Sequence, residues 1–129
     1  MIQDTGLLIL RLVLAIIFIV HGVSKIKHRK EMSKAMGSPH KTGFVHFLGV
    51  AEFAAAIALI LGLFTTLASL GLIIVMIAAI WMKIHAWKIP FTTQSNTGWE
   101  YDLLIIAALL ILIFVGPGAY SIDSLLIYY

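Results

Sequence analysis

A chain of 129 residues that is 61% hydrophobic and 12% charged has too little polar material to coat a water-soluble globule, for which about 45–50% apolar and about 25% charged residues are usual. A mean hydropathy of +1.05 makes lipid the expected outer solvent, so the fold class read here is all-α, an integral membrane four-helix transmembrane bundle in one domain over residues 1–129. The net charge of +3 points to anionic lipid rather than nucleic acid, because the basic residues gather in membrane-flanking loops. The absence of cysteine excludes dithiol relays, thiolate-held clusters, covalently attached haem and disulfides.

Four apolar runs follow in order, with predicted spans at 7–24, 44–63, 66–87 and 100–116. The first carries Arg11 and His21 and ends in Lys25, Lys27, Arg29 and Lys30; with no basic stretch before it and no small-residue cleavage site after it, it reads as a retained span. A hydrophilic loop from Ser33 to Thr42 leads to the second, which holds one charge, Glu52, among Gly49, Ala51 and Ala54 to Ala56, small residues that let neighbouring helices approach. Gly62, Thr65 and Thr66 make a tight hairpin into the third run, which closes at Lys83, His85, Trp87, Lys88 and Pro90. Trp99, Glu100, Tyr101 and Asp102 open the fourth, and Gly116-Pro117-Gly118 stops it.

Six of the nine Lys and Arg residues lie between the first two spans and two more at the end of the third. By the positive-inside rule both basic loops face the cytoplasm, and both termini are expected outside the cytoplasm of a multi-pass cell-membrane protein. Trp81, Trp87, Trp99 and Tyr101 then fall where aromatic anchors belong.

Several of these residues carry a resemblance. Arg11-Leu12-Val13-Leu14-Ala15, then His21-Gly22 and Lys25, then Ala51-Glu52, the hairpin Gly62-Leu63-Phe64-Thr65, Glu100-Tyr101, and finally Gly116-Pro117-Gly118 with Ser121 and Asp123 together resemble the DoxX family. The chain departs from the pattern at Thr66, where family members often have an arginine. The resemblance implies a membrane oxidoreductase or redox-complex subunit, linked to quinone-coupled oxidation of sulfur compounds, to quinol oxidases or to catechol and quinone stress.

Ionisable groups inside a span cost about 2.5–3.5 kcal/mol or more and usually face the bundle interior in pairs. Glu52, eight residues into its span, is too deep to snorkel, and Arg11 is its expected partner, as a structural bridge or as part of a proton relay. At the cytoplasmic mouth, His21, Lys25, His85, Glu100 and Tyr101 share a depth. A quinone needs donors to two carbonyl oxygens, a proton source and apolar walls. In that reading His21 and Tyr101 donate, Glu100 relays a proton, and Lys25 and His85 bind; the bland alternative is a belt of snorkelling side chains. His21 and His85 offer two imidazoles to a haem only in principle, and no spacing supports a metal site. The cofactor expectation is a quinone. Candidate partners are the bilayer, a quinone, a redox protein and a second copy of the chain. The competing functions are a non-enzymatic membrane chaperone or structural subunit, and a proton or small-solute permease.

Overall fold

The computed structural model describes residues 1–37 and 39–127; Ser38, within the basic loop, lies outside the described residues, as do the last two. The regular elements among the described residues are all helices: α1 (Ile2–Lys27), α2 (Arg29–Ala35), a 3-10 turn (Pro39–Lys41), α3 (Thr42–Leu61), α4 (Thr65–His85), α5 (Trp99–Val115) and α6 (Ile122–Ile127). By length and composition α1, α3 and α4 are each able to cross a membrane. The 17 residues of α5 make about 25 Å of helix at about 1.5 Å per residue, and its stop is the left-handed Gly116 at φ 93.

The distribution of side chains inverts that of a soluble protein. Arg11, Glu52 and Asp102 are 0%, 1% and 3% exposed, while Ile74, Leu104 and Phe114 are 68%, 70% and 81% exposed. In water such a surface would aggregate; in lipid it is the solvated one, and the charges inside escape hydrocarbon. This is an all-α membrane protein.

Each long helix buries one narrow stripe. On α1 it is Leu7, Arg11, Leu14, Ala15, Phe18 and Gly22; on α3, Val45, Gly49, Glu52, Ala56 and Leu59; on α4, Thr65, Ser69, Leu72, Ile73 and Met76; on α5, Asp102, Ile105, Leu109 and Leu112. The recurring steps of three and four keep each stripe on one face. The helices pack as two close pairs, α1 with α3 and α4 with α5, and the pairs meet less extensively.

The α1–α3 crossing depends on two glycines. A Cβ on Gly22 would sit 2.7 Å from the Gly49 carbonyl oxygen, and one on Gly49 would sit 2.8 Å from the Gly22 carbonyl oxygen. Both backbones are in contact there, so any side chain forces the helices apart. At the opposite end Gly62, left-handed at φ 65, closes α3, with the Leu63 N–H donating to the Ala58 carbonyl at 2.9 Å. Phe64 is also left-handed, at φ 49, a conformation that disfavours a residue with a Cβ and needs outside support.

Candidate functional site

The end of the bundle formed by the α3–α4 hairpin, the start of α1 and the α5–α6 connection is tied by three side chains. Arg11 crosses from α1 to donate to the Leu59 carbonyl at 2.8 Å, the Ile60 carbonyl at 3.3 Å and the Tyr120 carbonyl. These include last-turn carbonyls of α3, of which the Leu59 carbonyl also accepts from the Gly62 N–H at 3.3 Å, so one guanidinium adds to the closure of α3 and fastens the segment after α5. Asp123 accepts from the Phe64 and Thr65 N–H groups, both at 2.8 Å. It thereby caps α4 from a distant part of the chain and holds the left-handed Phe64 in place. Asp4 accepts from the Ala119 N–H at 2.9 Å.

Arg11 and Glu52 are both buried, but the structure does not bring them together. Glu52 lies seven residues before Leu59 on α3, about 10 Å along the axis, beyond the reach of a guanidinium anchored at Leu59. Glu52 instead takes Lys25, one α3 carboxylate against one α1 ammonium, with its second oxygen, Oε2, buried and without a hydrogen-bond partner among the described residues.

The basic end is built differently. A cavity of about 910 Å³ opens there, with walls from α1, α2, α3, α4 and α5. Its polar lining includes His21, Ser24, Lys25, Lys83, Thr97, Tyr101 and Asp102. The two helix pairs each contribute an internal ion pair: Lys25 with Glu52 joins α1 to α3, and Lys83 Nζ, 2.6 Å from the Asp102 carboxylate, joins α4 to α5. His21 and Tyr101 meet across the seam between the pairs, ring centroids 6.3 Å apart and edge to face, and Phe18 also packs edge to face with the imidazole, at 6.2 Å. Under the cavity lies α2, pinned where the Trp87 indole N–H donates to the Ala35 carbonyl at 3.0 Å.

Of the residues expected at this mouth, His21, Lys25 and Tyr101 line the cavity, while His85 and Glu100 do not. Both are exposed, and His85 packs on Trp81 at 5.2 Å instead. Helical phase explains the exclusion. At about 100° per residue, Glu100 lies roughly opposite the Asp102–Leu112 stripe of α5, and His85 lies roughly opposite the Thr65–Met76 stripe of α4. Lys83, seven residues after Met76, and Asp102, three before Ile105, continue those stripes. Depth alone puts Glu100 and His85 at the site; depth and phase together would have named Asp102 and Lys83. Among the described residues no three His, Asp or Glu side chains converge as metal ligands.

A family profile described as DoxX matches residues 6–86, well over half of the chain. The chain belongs to the DoxX family. The matched region holds Arg11, His21, Lys25, Glu52, the Gly62 hairpin and Lys83, so the DoxX match contains the hairpin-end tie on α1 and α3 and one complete ion pair of the basic end. Tyr101, Asp102 and Asp123 come from helices beyond it. The chain is also similar to an uncharacterized membrane protein of Mycobacterium tuberculosis, 27% identical over 125 residues that cover 88% of this chain and 77% of the relative. No solved structure matches the chain.

Proposed function

We propose that this DoxX-family protein is a quinone-linked membrane redox protein whose cavity at the basic end receives the quinone ring, and that it works in the cell membrane with four spans, the basic end cytoplasmic and both termini outside. The observation that carries the reading is the His21–Tyr101 contact across the seam of a largely apolar cavity flanked by two ion pairs. The cavity volume falls in the range of about 300–1,000 Å³ typical of small-molecule sites. The donor set also fits: an imidazole, a phenol and a serine hydroxyl can hydrogen-bond ring oxygens, and the walls suit the ring faces.

A bound quinone would supply two-electron, two-proton chemistry, with a redox protein as the source or sink of the electrons. The chain's own contribution is to bind, orient and move protons. The Tyr101 hydroxyl is a donor, and His21 can donate or accept, which makes it the proton-handling group. Lys25 and Lys83 are neutralised by Glu52 and Asp102, so the site carries no uncompensated charge at rest and either ammonium can answer a negative charge on the ligand. The Glu52 Oε2, buried and without a hydrogen-bond partner among the described residues, keeps an acceptor behind the cavity-lining Lys25, whereas Glu100 is exposed and outside the cavity.

The packing does not favour the permease alternative. Between the cavity and the hairpin end lie Leu14, Phe18, Ala56, Leu72 and Leu109, all at most 2% exposed. A chaperone or structural-subunit role would leave the His21–Tyr101 arrangement without a use. Lipid extracted from the protein purified in mild detergent tests the proposal: a stoichiometric quinone is expected, and its loss on His21→Ala with the fold retained supports the site. A protein that neither retains quinone nor binds it when supplied in nanodiscs contradicts it.

A further inference from the structure

The cavity is larger and less polar than a quinone ring requires. A volume of about 910 Å³ sits near the top of the range that accommodates whole drug-sized ligands, several times what a single six-membered ring occupies. The polar groups cluster at one end, while the remaining wall is apolar and runs along α4 from Ile74 to Met82. Part of that wall is also the outer surface of the bundle: Phe44, Ile74, Ile77 and Trp81 line the cavity and are 50%, 68%, 56% and 59% exposed. The cavity therefore opens sideways, between α3 and α4, through the flank that lipid covers. These two helices are joined at the Gly62 hairpin, and each packs chiefly on a different partner, which leaves a cleft between them at the basic end.

The methionines add an independent observation. The sequence has five, and every one except Met1 lines this cavity: Met32 from α2 and Met36 just after it, Met76 and Met82 from α4. Methionine is flexible and polarizable, suited to a surface that must fit a mobile apolar chain and to contacts with aromatic rings. A packing defect between helices would not gather this residue type from two separate elements.

From the lateral opening, the excess volume and the methionine wall we infer that the ligand is a bilayer-resident amphiphile with a long flexible apolar chain. Its head group sits between His21 and Tyr101, and its chain lies over the methionine wall and leaves between α3 and α4 into the lipid. This rests on the reading of the cavity as a quinone site and narrows it to tailed quinones, excluding small water-soluble aromatics as the principal ligand.

Two benzoquinones with the same ring, one bare and one carrying a decyl chain, test the inference against the protein in nanodiscs. The variant Ala78→Trp places a large ring at the lateral opening, where Ala78 is exposed and lines the cavity; Leu48→Trp does the same from α3 and serves if the first variant does not fold. The tailed quinone should bind at least roughly tenfold tighter than the bare ring, the scale of about 1.4 kcal/mol, after correction for partitioning into protein-free nanodiscs. The tryptophan variants should remove that advantage while leaving the bare ring's affinity within about twofold. Equal affinities for both quinones, or no effect of either folded variant on the tailed one, would overturn the inference while leaving the quinone site intact. Failure of both quinones to bind would overturn both.

Discussion

The two ends of this bundle both concentrate buried polar groups, yet they use them in opposite ways. At the hairpin end the polar side chains bond to backbone: Arg11 to three carbonyls, Asp123 to two N–H groups and Asp4 to one. Asp4 also pairs with the Met1 ammonium at 3.3 Å, but the carbonyls and amide N–H groups that hold Arg11, Asp123 and Asp4 do not titrate, so these contacts fix a chain path. At the basic end the polar side chains face each other and a cavity: Lys25 with Glu52, Lys83 with Asp102, His21 with Tyr101. Side-chain partners can exchange protons and re-pair with a ligand. A buried charge in a membrane protein therefore signals chemistry only when its partners are themselves exchangeable.

That contrast can be broken by substitution. The largest effect is expected from Arg11→Met, which removes three charge-assisted bonds, one buried and two part-buried, at about 1.5–3 kcal/mol each before relaxation. A loss of about 3–5 kcal/mol in unfolding free energy should appear in detergent or nanodiscs, while quinone affinity of the folded fraction stays unchanged. A parallel loss of binding would mean the two ends are coupled. Next in size, Lys25→Met leaves the Glu52 carboxylate buried alone, worth about 3 kcal/mol. The double variant Lys25→Met with Glu52→Leu should recover most of the stability but not the binding. If the double variant is no more stable than the single, the pair is not the unit described here. Smallest is Asp123→Ala, which removes the cap on α4 and should cost about 1 kcal/mol in thermal unfolding with no change in ligand affinity.

Hydropathy was enough to reveal an all-α membrane fold, because the four long helices follow apolar runs that nothing else in so apolar a chain could explain. The site was only partly legible. His21, Lys25 and Tyr101 fall at one depth and do line one cavity, since depth follows from counting along a helix. Glu100 and His85 share that depth but lie on the wrong face, and face is settled by the helical phase of the whole stripe, which Asp102 and Lys83 continue. The pairing of Arg11 was beyond sequence reasoning for another reason. Its partners are carbonyls, which every residue possesses, and only the left-handed turn at Gly62 and the return of the chain at Tyr120 bring them within reach. The role of α2 under the cavity was equally hidden, because it depends on one Trp87 bond to a backbone carbonyl.

In the proposed function the basic end binds a ligand and the hairpin end holds the fold. Quinone binding isotherms of the wild-type protein, His21→Ala and Asp123→Ala, recorded side by side in nanodiscs, test it most directly. Loss of a ligand hydrogen bond at His21 should weaken binding by roughly tenfold or more, with Asp123→Ala indistinguishable from wild type. Equal affinity of His21→Ala and wild type, or a weakening shared by both variants, would contradict the division of the molecule into a lock and a site.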